Sequence, residues 1–274
     1  MSDKQRPRLW ARLSDWLAKR NKELIMDSLR SNYSQPFSGT ASTDMALDTG
    51  LRTYMLGIYN KMAAGLAVSA IIAFSVGSIA PLSQLVFGTP LKWVVMFGPI
   101  GLLLVSAFAM KRPSPLATGL VYWSVASLIG ASLGAWVMAA KIGTAITFFD
   151  IAKAFFITAT AFGALSLWGY TTKRDLSGFG SFLIMGVVGL VLASIANLFF
   201  QSSLMSFVIS VLGVLVFSAL TAFDTQRLKQ EYYAVEVDQR AMAVATNWGA
   251  LSLYLNFVNL FQFIMSFLGG SSRE

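Results

Sequence analysis

Residues 203–223 read SLMSFVISVLGVLVFSALTAF, a run without a charge that closes at Asp224 and continues into Thr225 and Gln226. A helix rises ~1.5 Å per residue, so a run of this length crosses the ~30 Å hydrocarbon core of a bilayer. Reading outward, further apolar stretches of the same kind recur. The chain reads as spans at 57–80, 91–110, 116–140, 150–170, 180–200, 204–225 and 244–268. Of 274 residues, 55% are hydrophobic and 12% charged, with a mean hydropathy of +0.63. A soluble domain carries about 25% charged residues, so these charges are too few to make a water-facing shell. The expected fold class is an all-α polytopic membrane protein with seven transmembrane helices.

Two counts remove whole classes of chemistry. The chain has no cysteine, hence no disulfide, thiol nucleophile or thiolate metal site. It also has no histidine, the commonest general base and transition-metal ligand. No enzyme active site is recognisable and no cofactor is expected. Any ion handled must be held by oxygen ligands, which suits protons, alkali metals or calcium.

The regions outside the spans differ in character. Residues 1–30, MSDKQRPRLWARLSDWLAKRNKELIMDSLR, place Leu9, Leu13, Trp16, Leu17 and Leu24 roughly on one helical stripe, with Arg8, Arg12, Lys19 and Arg20 mostly off it. The segment is expected to be a basic amphipathic cytoplasmic tail, either lying on anionic lipid or solvated. Residues 31–50, SNYSQPFSGTASTDMALDTG, read as a flexible linker, and 51–270 as the membrane domain.

Positive charge falls on alternate sides. Nine Lys or Arg residues precede the first span, Lys111 and Arg112 follow the second, Lys173 and Arg174 the fourth, and Arg227, Lys229 and Arg240 the sixth. Lys141 stands in the third connection. Cytoplasmic loops carry the excess of Lys and Arg, so the N-terminus is expected in the cytoplasm and the C-terminus outside. The net charge of +8 is thus a topological signal, and no nucleic-acid partner is expected.

An acid within hydrocarbon is costly and marks a candidate functional site. Asp150 opens the fourth span and reads as a water-facing cap. Asp224 closes the charge-free run and brings Thr225 and Gln226 with it. The last span carries Asn256 and Asn259 on one face, with Tyr254 near them and Asn247 at the start. No Lys or Arg lies in that span, which excludes a retinal Schiff base there. Intramembrane aspartyl proteolysis needs two carboxylates, and Asp224 has no second acid within the apolar spans. Small-residue pairs, Gly130/Gly134 and Ser218/Ala222, read as helix-packing positions.

The stretch GALSLYLNFVNLFQFIMSFLG at 249–269 resembles the closing signature of the Bax inhibitor-1 family, and FSALTAFDTQRL at 217–228 resembles the segment before it. LRTYMLGIYNKMAAGLAVSA at 51–70, AFAMKRPSPL at 107–116 and TATAFGALSLWGYTTKRDLSGFGSFL at 158–183 are similar to its pattern as well. The resemblance implies a bundle with the last helix at the centre and a pH-dependent calcium leak in a bacterial inner membrane. It further implies a proton-sharing pair of aspartates, one in span six and one in span seven, with a basic residue at the end of span two bonded to the former. Carried onto this chain, these positions are Asp224, Asn256 and Lys111, with Arg112 beside the last. Asn259 and Thr225, singled out by their places next to Asn256 and Asp224, are added as further polar residues of the ion pathway, with Asp224 as the expected calcium contact. Asn256 departs from the family acid. Two adjacent carboxylates resist ionising together, and an Asp–Asn pair has no such repulsion, so a weakened pH response is expected. The alternative is a non-conducting regulator or substrate of a membrane-embedded ATP-dependent protease.

If residues 1–30 form a basic surface helix, a peptide of that segment gains helicity by circular dichroism on anionic vesicles and loses it as salt screens the attraction. Equal helicity on neutral vesicles overturns the electrostatic part.

Overall fold

The computed structural model describes residues 38–110, 112–143 and 146–271, with side chains from 49 to 269 within those bounds. The tail and Lys111 lie outside the described residues. In chain order the helices are α1 (Ser38–Ser78), α2 (Ala80–Phe87), α3 (Leu91–Ala109), α4 (Pro115–Lys141), α5 (Phe148–Thr171), α6 (Gly180–Phe200), α7 (Ser203–Val235) and α8 (Gln239–Ser271). A 3-10 turn at Ser177–Phe179 leads into α6. All but the short α2 are long and apolar enough to cross a membrane, which makes seven. No strand occurs among the described residues.

Residues 1–49 and 50–274 are separate compact units. Of the first, the described part is helical from Ser38, where a linker was expected over 31–50. Between Gly39 and Gly50 that stretch contains neither Pro nor Gly and includes Ala, Met and Leu, so nothing in it opposes a helix.

Local signals set the other helix starts. Ser114 accepts from the Ala117 amide and Pro115 stands in the first turn of α4. Thr147 and Asp150 form a reciprocal capping box that opens α5. Ser202 caps α7, and Gln201 ends α6 with φ 49°, the left-handed conformation of a helix C-terminus.

The second unit is organised around α8. Over half of its most apolar window, 56%, is buried inside the protein, against 11% for α6 and 17% for α3 and α5. α8 packs on α7, α5 and α4, while α3 packs chiefly on α4 and α6 on α7. Leu253, Leu260 and Met265 of α8 are fully enclosed. The outer faces present large apolar side chains, among them Phe108, Phe156 and Phe199. Such a surface is stable against lipid tails and prohibitive against water.

Close helix contacts use small residues. A Cβ on Gly130 meets Ser69 Cα at 2.7 Å and its carbonyl oxygen at 2.8 Å, and one on Gly134 meets the Val76 side chain at 2.9 Å. Backbone contact of this kind is how helices associate where no hydrophobic force acts between them. Gly130→Leu therefore drives α4 off α1, and thermal unfolding in detergent is expected to register a loss of about 1–3 kcal/mol.

Candidate functional site

Asp224 is 5% exposed, on the face of α7 that meets α8. Its Oδ2 accepts from Ser252 Oγ at 2.5 Å and from Asn256 Nδ2 at 2.8 Å, both on α8. Its Oδ1 lies 3.0 Å from Arg227 Nη2, one turn further along α7. That same guanidinium nitrogen donates to Ser252 Oγ at 3.2 Å. The four side chains form a closed polar clasp between two helices. Its buried charge is matched by a cation and two donors, the condition under which a carboxylate can be taken out of water.

The depth of the clasp follows from helix length. With span six ending near 225, Asp224 falls near the end of its helix while Asn256 sits deep in its own. The charged stretch TQRLKQEYYAV instead continues α7 to Val235, and α8 begins at Gln239. The two helices form an antiparallel pair with a three-residue turn, so Asp224, about 17 Å before that turn, faces Ser252 and Asn256 at a comparable depth after it.

The other expected site residues lie elsewhere. Thr225 is fully buried on the α5 side of α7, where its hydroxyl hydrogen-bonds Ser166 at 2.9 Å, and Ser166 hydrogen-bonds Tyr59 of α1 at 2.5 Å. Thr225 thus ties three helices together without touching the carboxylate of Asp224. Asn259 donates to the Leu255 carbonyl of its own helix at 2.8 Å and does not join the clasp. Lys111 lies outside the described residues; the cation on Asp224 is Arg227. Gln226 donates to the Arg174 carbonyl and accepts from the Leu176 amide, which fastens the α5–α6 connection. In that connection Asp175 accepts from Ser177, and this bonding holds its carboxyl below the usual carboxylate range.

A second polar layer lies between α1, α4 and α8. Lys61 donates its ammonium to Asn247 Oδ1 and stands 5.6 Å from the Tyr122 ring. Asn247 donates to Thr118 Oγ1 at 2.7 Å and to the Pro115 carbonyl at 2.8 Å. Tyr122, fully buried, donates to the Lys61 carbonyl. Asn247 and Asn256 are nine residues apart, half a turn round the helix, so the two layers use opposite faces of α8.

Two cavities open at the end bearing the α7–α8 turn, where Arg112, Arg174 and Arg240 also lie. One, of about 560 Å³, is lined by Arg227, Gln230, Glu231, Trp248 and Gly249. The other, of about 440 Å³, shares Glu231 and Trp248 and adds Arg112, Asp238 and Arg240. Arg227, its side chain 49% exposed, thus spans from the clasp to this vestibule. Towards the opposite end the space beyond Asp224 is apolar: Phe217 stacks on Phe263 at 5.7 Å, with Leu260 and Met265 close by.

Three members of these layers escape a reading that looks for isolated polar residues. Arg227 is three residues after Asp224, and Ser252 four before Asn256; both spacings put side chains on a shared helix face. Lys61 is a lone charge within the first span, and its position in hydrocarbon was the available signal.

Six membrane-length apolar helices around a central seventh, with an acid clasped in the interior, define a polytopic helical membrane protein. The family described as inhibitor of apoptosis-promoting Bax1 matches residues 51–273. A protein of Caulobacter vibrioides is 54% identical over 83% of this chain and 92% of its own length. One of Rickettsia prowazekii is 40% identical over 84% and 94%. The Escherichia coli inner membrane protein YbhL is 35% identical over 80% and 92%. The chain belongs to the Bax inhibitor family.

The clasp can be tested as a unit. Ser252→Ala removes one donor from a buried carboxylate and is expected to cost about 1–3 kcal/mol in detergent unfolding. In an Asp224→Asn background the same change is expected to cost clearly less, because the charged acceptor is gone. Additive losses in the double variant show that the two residues do not interact.

Proposed function

We propose that the protein is a passive cation leak of the bacterial inner membrane, carrying calcium, with Asp224 as the acid at its constriction. The observation that supports this reading most is the placement of Asp224. It is a buried carboxylate of α7 facing the central helix, reached from a vestibule of about 560 Å³ through a half-exposed arginine. Intramembrane acids of this kind mark ion pathways. With the lysines and arginines that flank the α7–α8 turn on the cytoplasmic side, the vestibule opens to the cytoplasm, the N-terminus is inside and the C-terminus periplasmic.

On this reading the resting pathway is shut twice. Arg227 occupies the Asp224 oxygen that a cation would take. Beyond it, Phe217, Phe263 and their neighbours form a dry section that closes by excluding water. Opening requires the guanidinium to swing into the vestibule and the apolar section to part. On this reading calcium is cargo and has no resident role. Asn256 donates to the carboxylate where a second acid would share its proton, and pH then acts weakly.

A second reading has one observation in its favour. Both oxygens of Asp224 are satisfied, as in a structural clasp, which suits a non-conducting regulator or a substrate of a membrane-embedded ATP-dependent protease.

Calcium flux into liposomes carrying the purified protein separates the two. Arg227→Gln is expected to raise flux several-fold and Asp224→Asn to alter it strongly, with folded protein retained in each. Asn256→Asp is expected to create a flux transition between about pH 5 and 8, since two carboxylates at hydrogen-bond distance resist ionising together. Wild type responds to pH less than this variant. Flux that is absent in wild type and in all three variants favours the regulator.

A further inference from the structure

A groove runs along the outside of the bundle between α1 and α5. Its wider part is a cavity of about 660 Å³ reaching from Arg52 and Tyr170 to Leu66, with Phe155 and Phe257 at its inner end. A second cavity of about 420 Å³ shares Leu66, Phe155 and Phe257, and carries the groove on past Phe74 and Trp136. The floor is α8, through Phe257, Val258 and Phe261, all buried. The rims are exposed apolar side chains, including Leu56, Phe74, Phe156 and Leu167. The groove therefore opens on the surface that faces lipid.

Its polar lining is already satisfied. Tyr59 and Ser166 hydrogen-bond to each other, and Ser69 binds the Tyr254 hydroxyl and the Ala126 carbonyl. What remains for an occupant is an apolar wall, suited to a flexible hydrocarbon chain. The mouth has the opposite character. Arg52 lines it from α1, and Lys229 of α7 lies over the Tyr170 ring at 5.2 Å while donating to the Tyr170 carbonyl at 3.3 Å. Two cations from different helices flank an aromatic residue at the membrane boundary, a setting that attracts an anionic headgroup.

We propose that this groove is a binding site for one anionic phospholipid, its acyl chain lying between α1 and α5 against α8 and its phosphate held by Arg52 and Lys229. The site is independent of ion passage. A lipid seated there contacts the central helix directly through Phe257, one residue from Asn256.

Gly163 offers a clean test. It lines the wider cavity, and a Cβ added to it meets nothing within 4 Å. A side chain at Gly163 thus starts into open groove space, so Gly163→Leu takes up room an acyl chain would need, and the better helix former does not weaken α5. The experiment is native mass spectrometry of the delipidated full-length protein titrated with phosphatidylglycerol or phosphatidylcholine. Wild type is expected to take up one phosphatidylglycerol in clear preference to phosphatidylcholine. Arg52→Gln and Lys229→Gln are each expected to lower that preference roughly fivefold, the factor for one basic residue near an anionic surface. Lys92→Gln, the same charge change at the opposite end, is expected to leave it unchanged. Gly163→Leu is expected to abolish tight binding while melting no lower than wild type. Phosphatidylglycerol carrying a mid-chain diazirine is expected to label α5 and α8 around Ala159 and Phe257. Retention of the lipid by Gly163→Leu, equal binding of both lipids, or labelling confined to the outer faces of α3 and α6 overturns the proposal.

Discussion

The bundle depends on how α8 satisfies its polar groups where no water reaches. A helix at the centre of a membrane protein gains nothing from hydrophobic burial against its neighbours, because lipid tails are as apolar as they are. Its position is set by packing of small residues and by polar contacts that have no alternative partner. The Asp224 clasp is the strongest of these, because a charged acceptor is involved. Removing any one donor leaves part of a buried charge unmatched, so α7 and α8 are held in one register.

The second polar layer extends the same logic to the other face of α8. Lys61 is a cation in the interior held by neutral oxygen and an aromatic ring, and Asn247 spends its amide hydrogens on α4. Together the two layers join α8 to α7 on one side and to α1 and α4 on the other. The Tyr59–Ser166–Thr225 chain closes the circuit through α5. α3 and α6 take no part in these networks, and they are the helices that pack outermost.

The span count, the apolar boundaries of most helices and the unusual position of Asp224 were legible because membrane burial leaves a direct mark: length, absence of charge, and then a charge out of place. What was not legible has a common cause. The end of α7 was obscured because a helix persists past the hydrocarbon boundary, and TQRLKQEYYAV looks like a connection by composition while remaining a good helix former. That misplacement hid the matched depth of Asp224 and Asn256. Thr225 and Asn259 were grouped with Asp224 and Asn256 by proximity in sequence, yet adjacent residues on a helix point about 100° apart, and Thr225 faces α5 while Asn259 bonds its own backbone. Arg227 was read as topological charge, which concealed its contact with the acid beside it. The groove between α1 and α5 left no mark at all, since a lining of Leu, Ala and Phe is the same whether it faces a helix or an acyl chain.

Asn256, where the resemblance implies an acid, changes more than a proton count. A pair of carboxylates sharing one arginine leaves a surplus negative charge that can be met by a proton or by a passing cation. Asp224 with Asn256 leaves none: the carboxylate and Arg227 cancel, and the amide completes the bonding. On the cation-leak proposal, a cation entering from the vestibule must compete with a tethered guanidinium for the same oxygen. The tethered group has the advantage of effective concentration, and its half-exposed position gives it somewhere to go. On that reading, control of the site lies with the position of Arg227 and not with protonation of the acid. Glu231, one turn further along α7, lines the vestibule into which that side chain would move, so the charge that could hold the arginine away from Asp224 lies on the same helix face as the clasp it would release.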